Sequence, residues 1–132
     1  VFMPINKKSD PTEHVGGGHW SLLVYRRATT ESPARFEHYD SCKGANATHA
    51  RGVAKCLIAL LDPSVGGTTT QLMAMQTPQQ MNGHDCGVYV LCIAEQLCAV
   101  ADQVQASEAV RTLTPEAVVS KRTAFREMIA SK

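Results

Sequence analysis

No run of 18 apolar residues occurs anywhere in these 132 residues, and no secretory-leader or lipidation pattern is visible in them. A membrane-spanning helix is therefore excluded within this stretch, and no membrane partner is expected. Charge of one sign is missing too. Thirteen Lys+Arg against twelve Asp+Glu leave a formal net charge of +1, too little to build the field that binds nucleic acid or an anionic bilayer. The five cysteines, Cys42, Cys56, Cys86, Cys92 and Cys98, are odd in number and contain no CxxC pair. They read as reduced thiols rather than a disulfide framework, which points to the cytoplasm and/or the nucleus. Internal repeats and low-complexity linkers are absent, so one domain is expected, large enough to bury roughly two thirds of the surface of its unfolded chain. The sequon Asn46-Ala47-Thr48 is short enough to arise by chance, and nothing else supports the secretory route that glycosylation needs.

What is present is an order of elements. Val1 to Ile5 is a short apolar stretch, followed by a polar loop with Pro11 and the triplet Gly16-Gly17-Gly18. His19 to Tyr25 and Arg35 to Asp40 read as two strands of an antiparallel hairpin around a loop containing Pro33. From Asn46 to Leu61, Ala50, Val53, Ala54, Leu57, Ile58 and Leu61 recur at helical spacing, and Asp62-Pro63 with Gly66-Gly67 end the pattern. Thr68 to Gln76 is a third strand. Cys86 to about Val104 is apolar on nearly every side, as a central buried helix is. Thr114 before Pro115 marks the start of a last helix.

The chemistry gathers at Cys86. In Pro78-Gln79-Gln80-Met81-Asn82-Gly83-His84-Asp85-Cys86-Gly87 a polar loop turns into an apolar helix at a thiol, and a helix N-terminus offers unpaired N–H groups and partial positive charge that favour thiolate. A nucleophilic thiol needs a base, and the base needs a carboxylate to orient it. If the hairpin turns near Thr29-Thr30, paired residues sum to about 59, which brings His19 and Asp40 to the same end of the ribbon. Gln80, six residues before Cys86, can direct its amide beside the Cys86 N–H as a second donor to an oxyanion. Asp85 reads as the helix N-cap rather than the orienting acid.

Gly18-His19-Trp20-Ser21-Leu22-Leu23-Val24, His38-Tyr39-Asp40-Ser41 and Gln79 to Tyr89, taken in that order, resemble the three blocks of the Ulp/sentrin-specific cysteine proteases that act on ubiquitin-like proteins. The resemblance implies an α+β fold of the Ulp type (clan CE), a mixed or antiparallel sheet packed against a central helix that starts at Cys86. It implies that His19 is the general base, Asp40 its orienting acid, Cys86 the nucleophile and Gln80 the oxyanion donor, with no cofactor and no metal. Trp20 and Gly18 would line the narrow passage that admits the Gly-Gly end of a ubiquitin-like modifier, where only residues without Cβ pass. The partner implied is a Nedd-type modifier or SUMO and its conjugates, cleaved for precursor processing and/or deconjugation. The run Cys86 to Cys92, with Glu95, Cys98 and Leu113 to Ile129, looks most like the deneddylase branch, while Pro78 to Gly83 is also similar to the SUMO-processing branch. Residues 1–132 are expected to be a single catalytic core, the C-terminal portion of a larger protease domain, because members of the family carry a further segment before the His block.

Two other functions share these residues, a clan-related acyltransferase and a non-catalytic module that binds ubiquitin-like proteins. The second has no chemical need for all four of His19, Asp40, Gln80 and Cys86. His38, His84 and Cys42 beside Asp40 and Cys86 offer zinc-ligand chemistry, but their spacing matches no closed site. Cys56, Cys92 and Cys98 are expected to be core thiols, His14 and His49 solvated, and Lys121-Arg122 an exposed basic face.

Overall fold

A computed structural model describes residues 1–7, 18–61, 70–100 and 102–131. Its strands are β1 (Phe2–Asn6), β2 (Trp20–Arg26), β3 (Arg35–Tyr39) and β4 (Gln71–Ala74); its helices are α1 (Ala47–Leu61), α2 (Cys86–Ala99), α3 (Gln103–Arg111) and α4 (Pro115–Ala130). The strands form one sheet in the order β1-β2-β3-β4. β1 and β3 both run antiparallel to β2, and β4 lies parallel to β3. The fold is therefore α+β with a mixed sheet, as expected, and the apolar stretch at Val1 is one of its edge strands.

β2 explains the layering. Its run Ser21-Leu22-Leu23-Val24-Tyr25 is buried throughout, which a strand tolerates only when both faces of its sheet are covered. Leu22 and Val24 point to a core shared with Tyr39 of β3 and with Tyr89, Ile93, Val110 and Val118 from α2, α3 and α4. Leu23 and Tyr25 alternate to the opposite face and meet Ile5, Phe36, Ala50 and Ala54 beneath α1. Burying each large side chain contributes about 1.5–3 kcal/mol, so the two cores hold β2 from both sides.

The register differs from the expected one in an instructive way. Leu22 pairs with Tyr39 and Tyr25 with Phe36, two residues further along than a turn at Thr29-Thr30 gives. The Thr29 hydroxyl accepts from the N–H groups of Glu31 and Ser32, and Thr29 N–H donates to Ser32 O at 2.8 Å, so the turn is centred beyond Thr30. An even slip leaves every side chain on its face.

The central helix is shorter than its apolar pattern suggests. α2 ends at Ala99 because Val100 is extended (φ −123, ψ 123). Asp102 then caps a separate helix, α3, its carboxylate accepting from Gln105 N–H at 2.8 Å. Aspartate favours such caps over helix interiors, and that was the signal in the sequence for the break. Thr114 caps α4 as expected, accepting from Ala117 N–H. The expected end of α1 at Asp62-Pro63 and Gly66-Gly67, the first residues of the third strand, Pro11, His14 and Gly16-Gly17 lie outside the described residues.

Candidate active site

His19 immediately precedes β2 and Asp40 immediately follows β3, so antiparallel pairing delivers both to one end of the sheet. His19 Nε2 lies 2.5 Å from Asp40 Oδ1, with both side chains largely buried. Asp40 is itself held. Its Oδ1 also accepts from Cys42 N–H at 3.0 Å and its Oδ2 from Asn46 N–H at 3.1 Å. Because Nε2 is engaged, Nδ1 is the ring nitrogen of His19 left to exchange a proton.

Cys86 opens α2 and is buried. It shares a cleft of about 560 Å³ with Gly18, Trp20, Gly83, His84 and Gly87. Trp20 is 40 % exposed despite the buried strand it begins, and a Cβ added to Gly87 would sit 3.9 Å from its Cδ1. The indole thus lies over the first turn of α2. At Gly18 a Cβ would fall 2.0 Å from Asn6 Oδ1, so any larger residue displaces the Asn6 side chain. Trp20, Gly18 and Cys86 are brought together at this cleft. Among the described residues no hydrogen bond joins Cys86 to His19, and it is the chain neighbours of His19, Gly18 and Trp20, that line the cleft with the thiol.

Gln80 sits in a loop stitched to the Asp40 segment. Its N–H donates to Ser41 O at 2.8 Å, and Ser41 Oγ donates to its Oε1 at 2.8 Å. With the oxygen so fixed, the NH2 end donates to Asn82 O at 2.6 Å, which leaves one N–H for another acceptor. Gln79, quoted in the sequence only as part of a block, fastens the same loop: its amide donates to Asp40 O and Thr77 O while Lys43 N–H donates to its Oε1.

Asp85 occupies the N-cap position of α2 but makes no side-chain cap bond. It is drawn away instead. Oδ2 accepts from Asn82 Nδ2 at 2.6 Å, and Oδ1 pairs with Arg122 Nε of α4. Burial pushes the Asp85 carboxyl up, but the Asn82 and Arg122 hydrogen bonds and the charge of Arg122 and His84 outweigh it and hold the group below its ordinary value. Arg122 also donates through Nη2 to His84 O at 2.5 Å, and Lys121 Nζ donates to Glu95 Oε1 at 2.7 Å. These two cations are therefore ties from α4 to the loop and to α2, not a free basic face. A helical pattern cannot foretell this, since it does not say what stands opposite.

Four further expectations need correction or addition. Of the expected core thiols only Cys92 is buried; Cys56 and Cys98 are exposed, because apolar neighbours in sequence lie at other angles around a helix. Burial pushes the Cys92 thiol up, helped by Glu95 and opposed by Lys121. His49 is half-buried rather than solvated. His38, set aside as a doubtful metal ligand, is a buried residue whose Nε2 lies 2.9 Å from Ser21 Oγ; burial lowers its pKa, with Asp40 opposing and His19 assisting. Asn46, noted in the sequence only as a sequon and a helix start, is fully buried and its amide is occupied within the protein. Among the described residues no group of three or more His, Cys, Asp and Glu is arranged to hold a metal, and no helix is long and apolar enough to cross a membrane.

Comparison with known proteins gives the family. Residues 1–131 match the Ulp1 protease family, C-terminal catalytic domain. The chain is 37 % identical over 130 residues to the sentrin-specific protease 8 of Rattus norvegicus, covering 98 % of this chain and 56 % of that protein. It is 36 % identical over 131 residues to the human sentrin-specific protease 8, covering 99 % and 58 %. Against the NEDD8-specific protease 1 of Arabidopsis thaliana it is 38 % identical over 99 residues, 74 % of this chain and 40 % of the relative. The chain spans a little over half the length of the first two. Together the His–Asp pair, the thiol at a helix start and the match along residues 1–131 place this chain in the Ulp1 family of cysteine proteases.

Proposed function

We propose that this chain carries the catalytic centre of a thiol peptidase and isopeptidase that cuts after the C-terminal Gly-Gly of a ubiquitin-like modifier. The Nedd-type modifier is the first candidate, because relatives of this chain are named NEDD8-specific proteases; SUMO is the second. The observation that carries the reading is the His19 Nε2–Asp40 Oδ1 bond, whose base has Gly18 and Trp20, both lining the cleft of Cys86, as its neighbours in the chain.

In this reading His19 Nδ1 takes the proton of Cys86 Sγ, while Asp40 holds the ring and stabilises its charged form. The thiolate attacks the terminal glycine carbonyl, and the oxyanion is met by Cys86 N–H and the free N–H of Gln80. The C–N bond then breaks. The departing amine, a lysine side chain or a peptide N-terminus, leaves with the proton held by His19, and the modifier remains as a thioester on Sγ. Water gives its proton to His19, attacks the thioester and releases the carboxylate and the thiol. Trp20 over Gly87 makes a low passage beside the thiol, which suits a tail of two residues without Cβ. These steps call on side chains, one main-chain N–H and water, and a reduced thiol at Cys86 suits the cytoplasm or nucleus as its setting.

The test is a panel of NEDD8, SUMO and ubiquitin, each bearing an electrophile at its terminal glycine. The NEDD8 probe is expected to form an adduct on Cys86 fastest, and none is expected with Cys86→Ala, which keeps a good helix residue at that position. No adduct on Cys86 with any of the three sinks the proposal.

A further inference from the structure

Asn46 stands where the two members of the His–Asp pair are anchored, yet it touches neither the thiol nor the cleft. It precedes α1 in the loop that follows β3 and is 0 % exposed. Its side-chain amide donates to the main-chain oxygen of His19 at 2.8 Å, to Ser21 Oγ at 3.1 Å and to Ile5 O at 3.2 Å. Its own main-chain N–H donates to Asp40 Oδ2 at 3.1 Å. One residue thus grips the backbone of the base through its side chain and the outer oxygen of the acid through its main chain. The base and acid come from the two different strands of a hairpin, 21 positions apart in the chain, and the ladder between β2 and β3 stops at Leu22 and Tyr39. Beyond that last rung no bond of the β2–β3 ladder spaces His19 from Asp40; Lys7 N–H, continuing the β1–β2 pairing, also donates to His19 O at 3.1 Å, but it ties His19 to β1 and not to Asp40.

We infer that Asn46 is a positioning residue of the site: by bonding His19 O and Asp40 Oδ2 together it sets the distance and angle at which the imidazole faces its carboxylate. This rests on the reading of His19, Asp40 and Cys86 as the reacting groups. Two features argue for positioning over packing. Three acceptors converge on one NH2 group with two hydrogens, whereas Asn46 Oδ1, equally buried, has no hydrogen-bond partner among the described residues. A residue retained for its shape gains nothing from that asymmetry, since a buried polar atom left unpaired is unfavourable. The network also extends behind the pair, through Ser21 Oγ to His38 Nε2 at 2.9 Å, so Ser21 is held from two sides and cannot replace the amide.

The consequence is geometric. Misplacement of a reacting group by about 1 Å costs about 100-fold in rate, and the substrate passage at Trp20 and Gly87 is not touched. Asn46→Ala and the isosteric, donor-free Asn46→Leu are measured beside the unaltered full chain for Cys86 labelling by the NEDD8-type electrophile, for turnover, and for thermal unfolding. Both variants are expected to lose about 10- to 100-fold in kcat with KM within twofold, at temperatures where both are folded. Full kcat in Asn46→Leu, whose shape is kept and whose donors are gone, overturns the inference. A rise in KM with kcat unchanged overturns it too. If neither variant gives a cooperative melt, the residue is needed for the fold as a whole and a role in positioning is refuted. Failure of the unaltered chain to label Cys86 falls instead on the proposed function, so the two failures are told apart.

Discussion

Replacing Arg122 by alanine tests whether α4 holds the loop that presents Cys86. The Asp85 side chain is 3 % exposed and that of Arg122 33 % exposed. Removing one partner of a fully enclosed pair costs about 3–5 kcal/mol, whereas an exposed pair is worth about 0–1 kcal/mol. With the guanidinium partly in water and the Asn82 bond to Asp85 retained, the loss falls between these, at about 2 kcal/mol. Unfolding entropy of about 2.1 cal/mol/K per residue turns that into a fall in Tm of roughly 7 °C. The pH dependence has a definite sign. The folded-state pKa of Asp85 lies below its ordinary 3.8, so its contribution is present above that value and is lost as pH falls through the folded one. The gap between the native and Arg122→Ala proteins is therefore full at neutral pH and closes in acid. Thermal melts from pH 7 down to pH 3 read this directly, and Asp85→Asn completes a double-mutant cycle in which the two losses overlap rather than add. An unchanged Tm at pH 7, a gap that widens in acid, or fully additive losses refutes the reasoning.

Two predictions concern the chemistry. Trp20→Ala is expected to slow labelling of Cys86 by a modifier probe at least tenfold while slowing iodoacetamide alkylation of the same thiol much less, since the small reagent needs no clamp; Tm moves little because Trp20 is already 40 % exposed. Peptide-resolved mass spectrometry separates Cys86 from the exposed Cys42, Cys56 and Cys98, and equal slowing of both reagents contradicts the assignment. Asp40→Asn turns an acceptor of three hydrogen bonds into a group that must present an N–H to one of the former donors. It is expected to lower kcat by about 10⁴, as when the orienting acid of a comparable triad is lost, and steady-state kinetics with kcat within tenfold of the native value contradicts that role.

Much of this site was legible because its parts are local in sequence. A thiol at a loop-to-helix boundary, a His before one strand of a hairpin and an Asp after the next are patterns that short windows carry, and antiparallel pairing needs only the period of two to bring the last two to one end. The register itself was misplaced by two residues, because the side chain of Thr29, not a central Thr29-Thr30, shapes the turn. The second helix break failed for a related reason: a long apolar run hid Asp102, whose capping bond outweighs the run's apparent continuity.

The sequence by itself determined the family blocks and the order His19, Asp40, Gln80, Cys86, since these depend on residue type and on spacing along the chain. Through the resemblance those blocks carry, it implied the α+β class; that the sheet is mixed was decided by the parallel pairing of β3 and β4. Only the tertiary structure decided which side chains stand behind those blocks. Asn46 beneath the His–Asp pair, Arg122 on Asp85 and His38 on Ser21 join residues 17 to 37 positions apart. Each is a polar group whose partner is chosen by burial: once water is excluded, an amide or carboxylate must bond whatever the packed strands and helices set beside it, and no pattern along the chain names that neighbour in advance.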